Sequence, residues 1–221
     1  PGDPLTWLAY AGLGVFVGFF SGLLGIGGGA VTVPILGLVF VAFGFPAGQV
    51  MPVAIGTSLA AIVLATASSA RAHLQHGAVR KDLVAGLAPG IVLAGLAAGT
   101  IAKLLPTALL KGFFLLFVVY ITYTIVFGLK PRPTGAVPGR GGLFGIGLLV
   151  GGFSGLAGVG GAMISMPFML RWGLAFHTAI GTGSAISFVV AVAGVTGFIA
   201  AGLTEPGLPG WTLGYVYIPA F

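Results

Sequence analysis

Residues 18–36 read GFFSGLLGIGGGAVTVPIL, and residues 151–169 read GGFSGLAGVGGAMISMPFM. Nine of these nineteen positions are identical at a constant offset of 133: Gly18/Gly151, Phe20/Phe153, Ser21/Ser154, Gly22/Gly155, Leu23/Leu156, Gly25/Gly158, Gly27/Gly160, Gly28/Gly161 and Pro34/Pro167. In both copies a glycine cluster and a proline interrupt an apolar run. Glycine lets the backbone leave helical geometry, and proline removes an amide donor. A chain written this way folds around two breaks placed at matching points of two halves.

Composition says which solvent surrounds those breaks. Only 5% of the 221 residues are charged, 57% are hydrophobic, and the mean hydropathy is +1.15. A soluble domain carries roughly 25% charged residues, so this chain lacks the material for a water-facing surface. The apolar runs are long and do not alternate with period two, which selects membrane helices over a barrel. The expected class is an all-α integral membrane protein, with two homologous repeats of transmembrane helices and glycine-broken helix pairs. Forty-one glycines suit closely packed membrane helices. The net charge of +6 comes from nine Lys and Arg, mostly between apolar runs. They read as topology determinants and not as a phosphate-binding face, so no nucleic acid is expected.

Five apolar elements are expected in the first half, near Leu5–Leu24, Val31–Phe43, Pro52–Ala70, Leu83–Leu105 and Thr107–Leu129. The segment KPRPTGAVPGRGG (130–142) is a basic Pro/Gly linker. The second half repeats the order with Leu143–Ala157, Ala162–Trp172, Thr178–Ala201 and a new start at Trp211. The division is a first membrane repeat over 1–129, the linker over 130–142, and a second repeat over 143–221. Measured against the first half, the second is expected to be incomplete at its C-terminus by about 35–40 residues. A second echo supports the duplication: Ala54-Ile55-Gly56-Thr57 recurs as Ala179-Ile180-Gly181-Thr182, at an offset of 125.

The basic residues suggest orientation. If each broken pair crosses an even number of times, the halves are inverted. Arg71, Arg80, Lys81, Lys130, Arg132, Arg140 and Arg171 then lie inside, against Lys103 and Lys111 outside. A parallel arrangement moves one cation and weakens the bias to six against three. The positive-inside rule favours the inverted arrangement.

In a membrane protein, paired broken segments are the best sequence pointer to a transport site. Unwound backbone at membrane depth must line protein or a wet cavity. The helix that restarts after each break presents amide N–H groups and a positive dipole end, a setting for an anion. The candidate substrate-binding residues are therefore Gly25, Gly27, Gly28 and Gly29 with Ser21, and Gly158, Gly160 and Gly161 with Ser154. A second polar pair in matching apolar helices, Thr57 and Ser58 with Thr182 and Ser184, joins them, although such hydroxyls usually bond to their own helix. Gly14, Gly18 and Gly22, with Gly147, Gly151 and Gly155, have the spacing of a helix-packing stripe. His73, Gln75 and His76 read as an interfacial loop, and Trp7, Trp172 and Trp211 as interface anchors.

The absences narrow the chemistry. There is no cysteine, and the three carboxylates, Asp3, Asp82 and Glu205, all fall near element ends. No buried acid serves a proton relay or cation site, no metal or cofactor is expected, and an enzyme is not. Amides, hydroxyls and dipoles suit a small anion.

The doubled G-x-x-S-G-x-x-G-x-G-G sentence, the AIGT echo and the HLQHGAVR loop (73–80) closely resemble the TauE/SafE family of sulfite exporters, also called TSUP. The resemblance covers essentially the whole chain. It implies a multi-pass permease of a bacterial or archaeal inner membrane, built by duplication. The implied substrate is a small sulfur oxyanion or organosulfonate, bound between the repeats. Mapped onto this sequence, the matching positions are Ser21, Gly25, Gly27, Gly28 and Gly29, then Ser154, Gly158, Gly160 and Gly161. Gly29 is matched by Ala162, which departs from the pattern. A non-transporting membrane subunit or assembly factor, and an anion channel, are the alternatives.

Overall fold

A computed structural model describes residues 12, 14, 28–127 and 135–221. From residue 28 onward the described chain forms seven α-helices and one small antiparallel hairpin. The helices are α1 (Gly29–Ala42), α2 (Val50–Gln75), α3 (Lys81–Leu104), α4 (Thr107–Val126), α5 (Arg140–Ala157), α6 (Ala162–Arg171) and α7 (Phe176–Gly202). Strands β1 (Thr212–Leu213) and β2 (Val216–Tyr217) follow, then a 3-10 turn over Ile218–Ala220.

Among the described residues, five helices are long and apolar enough to cross a bilayer: α2, α3, α4, α5 and α7. At about 1.5 Å per residue, the ten residues of α6 reach only half-way. Many large apolar side chains face outward, among them Leu38, Leu64, Leu104, Leu116 and Phe127. In a protein with this composition those are lipid-facing positions. The chain is a multi-pass, all-helical membrane protein.

Local chemistry sets most boundaries. Glycines in the left-handed region follow three helices: Gly44 (φ 74°) after α1, Gly77 (φ 68°) after α2 and Gly173 (φ 78°) after α6. Pro106 separates α3 from α4, because the residue before a proline resists helical geometry. The sequence places the start of the fifth described helix at Leu143, but α5 begins at Arg140 and takes in the end of the basic linker. The expected element Leu5–Leu24 lies outside the described residues.

The segment from Trp211 differs from the sequence reading. Instead of starting a helix, residues 212–217 turn back as a hairpin. Trp211 (φ 67°) and Gly214 (φ 56°) both adopt left-handed backbone, which a helix cannot propagate. A Cβ on Gly214 would strike the Ile199 backbone, so the turn is pressed against α7.

Contacts give the helix directions. Gly86 of α3 faces Leu143, Gly90 faces Gly147, and Ile91 faces Gly151, so α3 and α5 run parallel. Gly95 meets Ala193 and Gly99 meets Gly197, so α3 and α7 are also parallel. By contrast α2 and α7 are antiparallel: Gly56 lies by Phe198, Leu59 by Gly194, and Ser69 bonds Ser184. Between the parallel α5 and α7, α6 folds back. Its end returns to the start of α5, where the Gly135 N–H donates to the Arg171 carbonyl at 3.2 Å. The α5–α6 pair therefore returns the chain to the end from which it set out.

Two apolar cores hold this arrangement. One joins α1, α2 and the hairpin through Val33, Phe40, Ile55, Leu59, Tyr215 and Tyr217. The other joins α3, α5, α6 and α7 through Leu83, Leu87, Ile91, Val150, Met169 and Ile186. Backbones approach closely along α3, where a Cβ on Gly90 would enter the Phe144 carbonyl and one on Gly151 would lie 2.6 Å from the Ile91 carbonyl. In lipid, packing of this kind substitutes for the hydrophobic drive between helices.

Candidate functional site

The second glycine cluster breaks the chain where the sequence marks it. Gly158 caps α5 in left-handed backbone (φ 67°), with the Val159 N–H donating to the Ser154 carbonyl at 3.1 Å. The buried residues Val159, Gly160 and Gly161 then lead into α6. At its first turn the Ala162 N–H donates to Ser187 Oγ at 2.8 Å, tying the restart to α7. Gly161 is enclosed by Ile186, Val190 and Val150.

The first half meets this break directly. Gly28 (φ 73°) precedes α1, and its carbonyl accepts from the N–H groups of Val31 and Thr32 and from Thr32 Oγ1. A Cβ on Gly29 would enter the Gly158 carbonyl, so only glycine permits the start of α1 to lie against the second break. Ser58 of α2 donates its hydroxyl to that same carbonyl at 2.9 Å, fully buried. Gly28, Gly29, Ser58, Ser154, Gly158, Gly160 and Gly161 thus gather around one junction of α1, α2, α5 and α6. Ser21, Gly25 and Gly27 lie outside the described residues.

The other predicted hydroxyls bond to distant segments instead of back to their own helices. Thr57 Oγ1 accepts from the Tyr217 N–H at 3.0 Å, and Thr182 Oγ1 accepts from the Arg80 N–H at 3.1 Å. Ser184 Oγ donates to Ser69 Oγ at 2.7 Å. Thr66 and Thr196 show the ordinary alternative, donating to Ile62 and Val192 one turn back.

Two hydroxyls near the break are buried and without a partner among the described residues: Ser154 Oγ and Ser165 Oγ. Buried polar groups are nearly always bonded, so such exceptions mark places where something else can bind. Sequence reasoning named Ser154 and passed over Ser165. The signal was present, since Ser165 falls opposite Thr32 in the doubled sentence. It also passed over Ser187, which holds the first amide of α6.

The two ends of the bundle differ in charge. His73 and His177 meet at one end, with ring centroids 6.0 Å apart, and Arg71, Arg80, Lys81, Arg140 and Arg171 cluster at that end. There Arg80 pairs with Asp82 through two hydrogen bonds of 2.8 and 2.6 Å, which raise the guanidinium pKa further. At the opposite end Lys103 pairs with Glu205 at 3.0 Å. The Tyr215 phenol, buried and beside the Glu205 carboxylate, is pushed up to about 12.

None of the described ion pairs lies at the glycine junction. Among the described residues no three of His, Cys, Asp and Glu gather to hold a metal ion. A groove of about 720 Å³ between α4, α5 and α6 is lined by Phe113, Phe117, Phe153, Pro167 and Arg171, a largely apolar surface. What the junction offers is neutral donors in a desolvated setting, suited to holding a ligand and not to transforming one.

A glycine break between α5 and α6, met by the glycine start of α1 at a buried junction of membrane spans, is the kind of feature found at the binding sites of multi-pass transporters. The profile described as Sulfite exporter TauE/SafE matches residues 10–221, and the chain belongs to that family. It is 33% identical over 216 residues to a probable membrane transporter protein of Haemophilus influenzae, covering 94% of this chain and 79% of the relative. A probable membrane transporter protein of Methanocaldococcus jannaschii is 24% identical over 213 residues, covering 94% and 76%. The YunE probable membrane transporter protein of Bacillus subtilis is 35% identical over 98 residues, covering 42% and 33%. No solved structure matches. Family and relatives make the chain a membrane transporter and not an enzyme.

Proposed function

We infer that the chain carries a small sulfur-containing anion, sulfite or a sulfonate or related organosulfur anion, by alternating access around its paired glycine breaks. The observation that carries this reading is the Ser154 hydroxyl, fully buried and without a partner among the described residues, one turn before the Gly158 break. An oxyanion supplies the acceptor that this donor lacks. The restart at Gly160, Gly161 and Ala162 adds a positive dipole end. Gly28 and Gly29 bring the matching restart of the first half alongside; Ser21, Gly25 and Gly27, outside the described residues, are candidates by the doubled sequence alone. Ser58, Thr57, Thr182 and Ser184 border the site from the antiparallel α2 and α7. With no described ion pair at the junction, the anion leaves easily. That suits a carrier better than a storage site.

The halves 1–129 and 143–221, joined through 130–142, are read as inverted repeats. The antiparallel run of α2 and α7, which bear the matching AIGT echoes, supports this reading. So does the return of the chain through α5 and α6. The basic end is cytoplasmic by the positive-inside rule, in a bacterial or archaeal inner membrane.

The test is counterflow of radiolabelled sulfite and of a small sulfonate in proteoliposomes. Saturable exchange, suppressed by one unlabelled anion, is expected. Flux without saturation or counterflow would make the protein a channel. No exchange of either anion by folded protein would overturn the substrate assignment.

A further inference from the structure

The two threonines of the AIGT echoes form one device built twice. In α2, Thr57 accepts the backbone N–H of Tyr217, which follows α7; in α7, Thr182 accepts the backbone N–H of Arg80, which follows α2. Both threonines are completely buried. The glycine before each one completes the socket. A Cβ on Gly56 would enter the Tyr215 carbonyl, and one on Gly181 would lie 2.6 Å from the Ala78 carbonyl. Each of these helices thus seats the segment that follows the other. Because α2 and α7 are antiparallel, the two seats lie at opposite ends of the pair.

We propose that Thr57 and Thr182 are positioning residues that latch the transport path on either side of the glycine junction, each toward one end of the bundle. The inference rests on the transport reading above for its use, though not for its geometry. A latch must hold a seam shut and yet release. At each seam the threonine contributes one neutral hydrogen bond over a glycine contact, and at the Thr57 seam Gln49 Nε2 also donates to the Pro206 carbonyl at 3.4 Å. Such a bond shifts an open–closed equilibrium by roughly two- to tenfold. The described ion pairs do not cross either seat: Arg80 pairs with Asp82 of its own segment, and Glu205 pairs with Lys103 of α3. The seats are unequal. At the end away from the basic cluster, the Tyr217 ring is also held edge-on by Phe40 and Phe45, with centroids 5.5 and 5.3 Å away. The Arg80 seat has no aromatic clamp among the described contacts, so it opens more readily.

The native chain has no cysteine, so single reporters read each seam directly. Ala78→Cys reports the basic end and Val216→Cys the opposite end; both positions are 4% exposed. Labelling with a membrane-impermeant maleimide from either side is measured in proteoliposomes. Thr182→Val should raise labelling of the Ala78 reporter severalfold and lower that of the Val216 reporter, because the state open at the opposite end is depleted. Thr57→Val should do the converse, by a smaller factor because the aromatic clamp remains. Thr182→Ser and Thr57→Ser keep an acceptor oxygen and should return labelling to the parent level. If either valine variant moves both reporters in the same direction, or neither, the latch assignment falls. The same holds if serine fails to restore the parent level in folded protein. Because labelling needs no substrate, the expected pattern without anion exchange would sustain the latches and sink the substrate assignment instead.

Discussion

Ser58 and Ser154 stand on either side of Gly158, and their hydroxyls do opposite things. Ser58 spends its proton on the Gly158 carbonyl; Ser154 has no acceptor among the described residues. Removing each should separate structure from binding. Ser58→Ala orphans a buried carbonyl and should cost about 1–3 kcal/mol of stability, read by denaturant unfolding in detergent. Ser154→Ala removes an unsatisfied group and should leave the melting temperature unchanged or raised. It should weaken anion half-saturation roughly tenfold or more, because a hydrogen bond to a charged group is worth about 1.5–3 kcal/mol. A Ser154→Ala protein that melts early and transports normally would overturn that assignment. The doubled sentence makes Ser154 legible as a candidate, since a hydroxyl recurs one turn before each glycine cluster. It does not reveal that Ser58 is bonded, because its partner lies a hundred residues away, in the other half.

At the scale of elements, neighbouring glycines of one helix have different duties. A Cβ on Gly151 would meet the Ile91 backbone at 2.6–2.7 Å, whereas one on Gly152 would meet only Ala94 Cβ at an ordinary 3.8 Å. Gly151→Ala should therefore part α5 from α3 and cost about 1–3 kcal/mol. Gly152→Ala should be neutral or stabilising by up to about 1 kcal/mol, from helix propensity alone. Thermal denaturation of the two variants checks the contrast. The hairpin makes a second prediction. The Tyr215 pKa of about 12 stands above its ordinary 10.0. The unfolded chain thus ionises first as pH rises, and stability is lost between those values. Tyr215→Phe should abolish that part of the alkaline loss in a stability–pH profile. Periodicity and glycine–proline punctuation made the long helices readable within a few residues. The hairpin was not readable, because Tyr-Val-Tyr-Ile within an apolar run carries no sign of the positive φ at Trp211 and Gly214.

For the whole molecule, the uneven charge of the two ends becomes a statement about orientation. A cysteine replacing exposed Gly139 should react with an impermeant thiol reagent only from the cytoplasmic side. One replacing exposed Pro206 should react only from the outside. Reaction of both from one face would overturn the inverted-repeat reading. The charge bias was legible in the sequence because loops are short and cations few. How the halves touch was not, since much of their contact is backbone carbonyls facing glycines and hydroxyls bonded a hundred or more residues away.

The exchange of seats between α2 and α7 bears on how such a chain arises. If the halves are repeats, each closes the other's seam, because each threonine serves a segment that belongs to the other. A gene encoding one half alone would give a product able to close only against a second copy inserted upside down. Its loops would then need a nearly balanced set of cations, so that both insertions occur. Fusing two copies removes that need, and each half is free to gather the charges that fix its own direction of entry.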